Sequence, residues 1–141
     1  MKINTEKFGE ITIDENLIFE FVEPIIGYEE LTKYVLVEHA DNSAFKWLQS
    51  IEDESLAFPV SSPAYFDIDY QFEIPTEIAE KIELKTVESL ISLNIVTIPL
   101  GKARESTINL LAPIIINATN KKGMQLILSN SNYPVKQPLF K

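Results

Sequence analysis

One continuous stretch of this chain predicts the architecture of everything around it. Residues 106–128 read Ser-Thr-Ile-Asn-Leu-Leu-Ala-Pro-Ile-Ile-Ile-Asn-Ala-Thr-Asn-Lys-Lys-Gly-Met-Gln-Leu-Ile-Leu. The three consecutive isoleucines at 114–116 are β-branched, and such side chains pack well on a pleated sheet. Turn-forming residues at 120–123 end this run, and leucine and methionine then alternate with other residues from 124 to 128. Two apolar runs around a short loop predict a β-hairpin, and a strand that is apolar on both faces belongs at the centre of a fold.

Two residues of this hairpin carry local predictions. Gly123 closes the turn, so we expect it to adopt a positive φ, which glycine tolerates without steric cost. Pro113 has no N–H to donate to a ladder, so it belongs at the start of a strand, at a bulge or on an edge.

The rest of the chain predicts short strands joined by turns. Residues 8–13 and 17–21 are expected to pair as a first hairpin, because both are rich in apolar residues and a polar turn separates them. Further strands are predicted at 34–37, 45–51, 56–60 and 90–98.

One short helix and an extended tail complete the prediction. Residues 76–80 predict the helix, with the Thr76 hydroxyl as its cap. The tail, residues 133–141, carries two prolines and is expected to lie at the periphery. We therefore predict that residues 1–141 form a mainly β protein, a single-domain antiparallel β-barrel or roll with one short helix.

Composition narrows the class of function. The 141 residues carry 21 acidic and 12 basic side chains, a net charge of −9, with a single arginine at position 104. Nucleic-acid binding depends on Lys and Arg that neutralise phosphates, so we expect no direct nucleic-acid partner. There is no cysteine, which excludes disulfides, thiol catalysis and thiolate metal sites.

The same composition bears on location. No apolar run approaches the roughly 20 residues that span a bilayer. The strand-like start Met1-Lys2-Ile3-Asn4 is not typical of a signal peptide. We therefore expect a cytoplasmic protein with no membrane partner.

Few residues are suited to catalysis or metal binding. His39 is the lone histidine, and no serine stands in the context of a nucleophile. Residues 41–52 have the length of a calcium loop, but Lys46 stands where the sharp turn needs glycine. Asp67 and Asp69 would share one face of an extended segment and mimic a paired-carboxylate site, although nothing in the sequence predicts their burial. We expect no enzyme activity, no metal site and no cofactor.

The middle of the chain combines aromatic and acidic residues. Aromatic side chains are concentrated between residues 45 and 72, and we expect most of them to fill the core. Tyr65 and Tyr70, however, lie within a segment rich in carboxylates. Apolar side chains next to carboxylates favour a protein-docking surface.

Several segments together resemble the FliW family of flagellar assembly factors, over essentially the whole chain. The matching segments are Phe8-Gly9-Glu10-Ile11, Trp47-Leu48-Gln49-Ser50, Leu56-Ala57-Phe58-Pro59-Val60, Asn94-Ile95-Val96-Thr97-Ile98-Pro99, Asn109-Leu110-Leu111-Ala112-Pro113-Ile114-Ile115-Ile116-Asn117, Gln125-Leu126-Ile127-Leu128, Tyr133 and Pro138-Leu139. Each is an ordinary strand by itself, and the specificity comes from their order and spacing. One turn departs from the family's Gly-x-Pro-Gly-Phe pattern, because Pro24-Ile25-Ile26-Gly27-Tyr28 keeps only the last glycine and an aromatic residue.

The resemblance implies a small, β-barrel-like cytoplasmic protein without catalytic activity. Members of the family bind flagellin and, alternatively, the carbon-storage regulator CsrA, a small dimeric protein that represses translation of flagellin mRNA. The resemblance therefore implies a partner switch. Excess flagellin occupies the FliW protein and CsrA represses, whereas secretion of flagellin frees the FliW protein to bind CsrA and relieve repression. For the family this inhibition is allosteric, away from the RNA-binding surface of CsrA.

Candidate residues for a partner surface follow from this implication and from the charge. In and beside the acidic segment they are Tyr65, Asp67, Asp69, Tyr70, Glu73 and Glu77. An RNA-binding partner is basic, and these carboxylates would attract it. Asn109 and Asn117, expected to be exposed beside the central hairpin, are further candidates, although an asparagine at a strand end more often satisfies local backbone groups.

Two other functions stay open at this stage. A small β-barrel could bind a small ligand or an oligosaccharide, with Trp47 and nearby aromatic residues as its platform. An exposed Trp47 beside a concave pocket would favour this function, and a buried Trp47 would count against it. A carboxylate-dependent hydrolase would need Asp67 and Asp69 to be buried as a pair in a cleft.

Overall fold

Short β-strands form most of the regular structure in residues 1–38 and 44–140, which are the residues that the computed structural model describes. The strands are β1 (Lys2–Thr5), β2 (Gly9–Thr12), β3 (Phe19–Phe21), β4 (Lys33–Val37), β5 (Lys46–Ser50), β6 (Ala57–Ser61), β7 (Leu90–Thr97), β8 (Thr107–Ile108), β9 (Ile114–Asn117), β10 (Lys122–Gln125) and β11 (Gln137–Pro138). The α-helix α1 spans Thr76–Lys81, and 3-10 turns occur at Glu15–Leu17, Pro63–Phe66, Val87–Ser89 and Ala103–Glu105.

Seven of these strands close into a barrel. Their order is β7-β6-β5-β4-β3-β10-β9, and β9 pairs back onto β7. Neighbours run antiparallel, except β3 and β10, which run parallel. β8 and β11 continue the sheet outward from β7, while β1 and β2 form a separate hairpin. The prediction of a mainly β barrel with one short helix is confirmed for the described residues.

The central hairpin supplies side chains to two cores. β9 and β10 pair antiparallel, with Met124 opposite Ile115, which confirms the predicted hairpin. Ile114 and Ile116 pack with aromatic and aliphatic side chains of the barrel strands, whereas Ile115 packs in a second cluster beneath α1 and the segment before it. All three isoleucines are fully buried. Pro113 immediately precedes β9, as its missing N–H predicts.

Gly123 is required for space and not for backbone conformation, so the expectation of a positive φ is wrong. It lies within β10, and the left-handed residue of this turn is Lys121, with φ 64°. A Cβ at position 123 would lie 2.9 Å from Cγ1 of Ile116 and 3.1 Å from Cε1 of Phe21. Only a residue without a side chain lets these neighbours approach so closely.

The first predicted hairpin is also wrong, because β2 pairs with β1 and not with β3. Gly9, at φ 69°, and the hydroxyl of Thr5, which accepts from the Phe8 N–H at 2.9 Å, close the turn between β1 and β2. After β2, the carboxylate of Asp14 accepts from the Asn16 N–H at 2.9 Å and stabilises a 3-10 turn. This turn redirects the chain, so that β3 lies between β4 and β10 in the barrel.

The short helix is present, but its predicted cap is wrong. Thr76 is the first residue of α1, so its hydroxyl lies inside the first turn and makes no capping bond. The Pro75 carbonyl accepts the N–H groups of Ile78 and Ala79, each at 3.0 Å. No helix in the described ranges is long and apolar enough to cross a membrane.

The tail forms the short strand β11, and the expectation that it lies at the periphery is wrong for Leu139. Pro138 pairs with Thr107 of β8, and the Leu139 N–H donates to the Ser106 carbonyl at 3.1 Å. Leu139 is buried with Val96 and Ile108 in a third apolar cluster. The tail therefore pairs with β8 and covers apolar side chains of β7 and β8.

Candidate partner-docking surface

Residues 67–75, which we call the acidic strap, cross the outside of the barrel between β6 and α1. Positions 67, 69, 71 and 73 are exposed and positions 68, 70, 72 and 74 are partly buried. This alternation is that of a strand with one face on a core. It directs Asp67, Asp69 and Glu73 towards solvent.

Tyr70 anchors the strap and is not a free surface aromatic. Its hydroxyl donates to the Leu110 carbonyl at 2.6 Å, and its ring centroid lies 4.8 Å from that of Tyr133 and 5.4 Å from that of Phe72. Burial raises the pKa of Tyr70 above its ordinary value. The side chain therefore fixes the position of the neighbouring carboxylates and offers little surface itself.

A second anchor holds the middle of the strap. The Gln71 N–H donates to the Tyr133 hydroxyl at 3.1 Å, and that hydroxyl donates to the Gln71 carbonyl at 2.8 Å. One side chain thus satisfies both main-chain groups of Gln71. The pattern Asp-Ile-Asp-Tyr-Gln-Phe-Glu-Ile at 67–74 alternates strictly and was the signal for this extended segment, which the strand predictions above omit.

Tyr65 is the aromatic side chain that the segment does expose. It is 68% exposed in the 3-10 turn Pro63–Phe66, whereas the adjacent Phe66 packs on Phe45 and Phe140. Asp67 ends this turn at φ 57°, with its N–H donated to the Ala64 carbonyl at 3.3 Å. Tyr65 therefore stands at the start of the row of exposed carboxylates.

We call the exposed carboxylates of the strap and of α1 the acidic face; they are Asp67, Asp69, Glu73, Glu77 and Glu80. No lysine or arginine occurs between residues 64 and 80. In the described part of the chain none of the five forms a salt bridge, whereas Lys81 pairs with Glu23 at 2.5 Å and Lys122 pairs with Glu83. The pair with Lys122 lowers the pKa of Glu83 below its usual range. The carboxylates of the acidic face are therefore not held in salt bridges by other described residues.

Two clefts flank the strap. Cleft A, about 700 Å³, separates it from β7 and residues 84–87; its lining residues are Ser62, Pro63, Ala64, Ile68, Tyr70, Gln71, Phe72, Ile74, Ala79, Leu84, Lys85, Thr86, Val87, Leu90, Ser92 and Asn94. Cleft B, about 610 Å³, lies on the other side, between residues 71–76 and residues 126–133. The strap is therefore accessible along both of its edges.

The sequence belongs to a known family. The sequence profile described as FliW protein matches residues 2–139. The flagellar assembly factor FliW of Caldanaerobacter subterraneus subsp. tengcongensis is 42% identical over 141 residues, which cover 99% of this chain and 93% of the relative. That of Thermotoga maritima is 41% identical, over 94% of this chain and 89% of the relative. The chain belongs to the FliW family of flagellar assembly factors.

A solved structure gives the same answer for the fold. The crystal structure of the flagellar assembly factor FliW superposes with a TM-score of 0.91 at 31% identity, covering 100% of this chain and 98% of that one. The turn that departs from the FliW pattern keeps the glycine that its backbone requires, because Gly27 has φ 91°. The Tyr28 N–H donates to the Ile25 carbonyl at 2.9 Å and closes this turn.

The two asparagine candidates of this FliW-family chain are used internally. Asn117 is 3% exposed, so the expectation that it is exposed is wrong; its amide donates to the carbonyls of Ile82 at 2.9 Å and Glu83 at 3.0 Å. Asn109 is half-buried, and its side-chain oxygen accepts the N–H groups that follow at positions 111 and 112, each at 3.0 Å. Both residues satisfy backbone groups at strand ends.

Two of the catalytic and metal-binding patterns considered in the sequence can be compared with the described residues. Asp67 and Asp69 are exposed on the strap and do not form a buried pair in a cleft. No group of three or more carboxylate or histidine side chains in residues 1–38 and 44–140 is placed to hold a metal ion. Lys46 begins strand β5, so the calcium-loop spacing has no loop there, and His39 and Asp41 lie outside the described residues.

Trp47 is half-buried, so it is neither the exposed platform nor the buried core residue that would decide the ligand-binding alternative. Its ring packs edge-to-face with Phe8, 6.0 Å between centroids, and the Lys7 ammonium lies 3.9 Å from its centroid. The barrel interior is filled by a continuous cluster of buried apolar side chains that includes Tyr34 and Leu48. Both observations count against the ligand-binding alternative for this FliW-family barrel.

Proposed function

We propose that this protein is a non-catalytic flagellar assembly factor that binds flagellin and, alternatively, the translational repressor CsrA. The two partners are those that the resemblance to the FliW family implies. The observation that carries the proposal for this chain is the acidic face, five exposed carboxylates without a salt bridge among the described residues. We assign CsrA to this face.

The sign of the charge supports that assignment. A protein that binds mRNA presents a basic surface, and the net charge of −9 on this chain attracts that surface while it repels the RNA. Unpaired carboxylates cost little to bring against a basic partner, because no intramolecular salt bridge has to be broken. Tyr65 adds an exposed aromatic ring at one end of the face, the side-chain type that contributes most to protein interfaces.

The residues of the proposed site have two roles. Asp67, Asp69, Glu73 and Glu77 attract and orient the partner, and Tyr65 packs against it. Tyr70, Asn109 and Asn117 position the surface without contacting the partner, because their internal hydrogen bonds hold the strap and the strand ends in place.

The switch follows from competition between the two partners. Flagellin in excess occupies the protein, and CsrA remains free to repress translation. As flagellin is secreted, the protein becomes available and CsrA is withdrawn from its mRNA. The protein thereby couples synthesis of flagellin to its export without catalysing a reaction.

Association kinetics with purified CsrA and flagellin test the proposal. The variant Asp69→Lys/Glu77→Lys reverses two charges of the acidic face at positions without a left-handed backbone, and Glu6→Lys/Glu15→Lys reverses two exposed charges near the N-terminal hairpin. Each pair changes the net charge by the same amount, from −9 to −5, since each reversal adds two charges. We expect the first variant alone to slow CsrA association about three- to tenfold at low salt and to weaken its salt dependence.

Two results would count against the proposal. If both variants slow CsrA equally, only net charge matters and the acidic face is not the site. If neither flagellin nor CsrA binds the unmodified protein, the partner switch itself is wrong for this chain.

A further inference from the structure

We infer that the edge of the acidic strap facing cleft A receives an extended segment of a partner protein as an added antiparallel β-strand, with basic side chains outward and apolar side chains towards β7. This inference deepens the proposed function and rests on it, because it specifies how the acidic face recognises its basic partner.

The first support is an open main-chain edge. In an extended segment the N–H and C=O of one residue point to the same side, and successive residues alternate sides. Both main-chain groups of Gln71 bond to Tyr133, which lines cleft B. Tyr70, Phe72 and Ile74 therefore direct their main-chain groups towards cleft A. In the described part of the chain, none of these three residues makes a main-chain hydrogen bond.

The second support is an unsatisfied acceptor in cleft A. Asn94, on β7, lines the cleft and is 1% exposed. Its amide nitrogen donates to the Asn109 carbonyl at 2.8 Å, but its buried side-chain oxygen has no hydrogen-bond donor among the described residues. A buried acceptor without a donor is costly, so a donor that reached this oxygen, which is covered in the free protein, would add stability.

The third support is the pattern of side chains around the cleft. Asp69, Gln71 and Glu73 are successive outward-facing residues of the strap, so Gln71 separates the two carboxylates. Residues directly opposite in an antiparallel pair lie about 4.5–5.5 Å apart and share one face. Lys or Arg at alternate positions of an added strand would therefore face these carboxylates. The intervening apolar residues would face Leu90 and the rim residue Val87, which is 75% exposed.

The alignment that places basic residues opposite Asp69 and Glu73 also determines which amides of the added strand form hydrogen bonds with the strap. Asp69 and Glu73 alternate in step with Gln71, so their main-chain N–H and C=O groups point towards Tyr133 and away from an added strand. The residues opposite them therefore occupy non-hydrogen-bonded positions. The apolar residues opposite Tyr70 and Phe72 then occupy the hydrogen-bonded positions. Binding thus depends on the N–H groups of the apolar residues and not on those of the basic residues.

A capped nine-residue peptide of alternating Lys and Val tests this directly. Two derivatives carry N-methyl groups, one on its valine amides and the other on its lysine amides. We expect methylation of the valines to weaken binding about tenfold or more and methylation of the lysines to have little effect, since only the former removes paired donors. A peptide of the same composition with its lysines in one block controls for charge alone.

Amide hydrogen exchange measured by NMR gives a second readout. Binding of the parent peptide should slow exchange at Tyr70, Phe72 and Ile74 about tenfold or more. Asp69→Lys/Glu73→Lys should abolish this protection, while Glu6→Lys/Glu15→Lys should retain it. Equal binding of the two methylated peptides, or binding without protection at Phe72, would overturn the added strand.

The same exchange measurement on the complex with CsrA separates this inference from the proposed function. If CsrA binds, is sensitive to the acidic face and protects Phe72 and Ile74, both stand. If CsrA binds through the acidic face without protecting these amides, the partner assignment stands and the added strand is wrong. If CsrA does not bind but the peptide does so with the expected amide dependence, the cleft is a strand-binding site and the assigned partner is wrong.

Discussion

Replacing Gly123 by alanine should destabilise the protein through a clash and not through backbone strain. The added methyl group would lie 2.9 Å from Cγ1 of Ile116, 3.1 Å from the carbonyl oxygen of Ile115 and 3.1 Å from Cε1 of Phe21. Two of these three atoms belong to fully buried residues of β9, so the neighbours have little room to move. The backbone at 123 is that of an ordinary strand and would accept alanine.

The expected magnitude follows from two opposing terms. Forcing an extra methyl group into a packed core costs about 1–3 kcal/mol. Alanine also reduces the freedom of the unfolded chain, which returns about 0.4–1 kcal/mol. The net loss in free energy of unfolding should be about 1–2 kcal/mol, which for a chain of this size lowers Tm by about 3–8 °C.

Urea denaturation of four variants distinguishes the clash from strain. Gly101 is the matched control, because it has φ 73° and nothing lies within 4 Å of a Cβ built there. Asparagine tolerates the left-handed conformation better than alanine does, so Gly101→Asn should be more stable than Gly101→Ala. At 123 the order should reverse, since asparagine is larger. A Gly123→Asn variant as stable as Gly123→Ala would refute the reasoning.

Two further predictions concern buried polar groups. Asn117→Ala should lower the free energy of unfolding by about 2–3 kcal/mol, because the carbonyls of Ile82 and Glu83 lose a buried donor. Urea denaturation measures this loss, and a loss smaller than that of a typical exposed substitution would contradict the prediction. Tyr34→Phe should be neutral or stabilising by about 1 kcal/mol, because the buried Tyr34 hydroxyl has no partner among the described residues. Burial, together with the Glu52 carboxylate, raises the pKa of Tyr34 to about 12, above its ordinary 10.0. The contribution of Tyr34 to wild-type stability should therefore be constant below pH 10 and fall as the pH rises towards 12. A scan of unfolding free energy over this alkaline range should show less of the fall in Tyr34→Phe, and identical slopes would exclude it.

Local patterns predicted most of the strands, although not β8 or β11, and they did not predict all of the pairings. The run at 114–116 predicted a strand buried on both faces, and the structure places its side chains in two cores. The pairing of β2 failed because alternation reports which face a strand buries and not which neighbour it pairs with. Here a capped 3-10 turn at Glu15–Leu17 decides between two compatible partners.

For the candidate surface, the sequence predicted which charged residues are exposed but not which polar residues point inward. The exposure of Asp67, Asp69 and Glu73 follows from their charge, which is expensive to bury. The inward positions of Tyr70 and Asn117 depend on hydrogen bonds to carbonyls 40 and 35 residues away along the chain. No local pattern contains such contacts.

The sequence by itself determined the β class, the central hairpin, the acidic charge and the family, because each depends on the kind and order of residues along the chain. The tertiary structure alone decided the closure of β9 onto β7, the close approach at Gly123 and the open edge of the strap beside cleft A. These features arise where segments distant in sequence meet. Their free energy lies in packing and hydrogen bonds that exist only once both segments are in place.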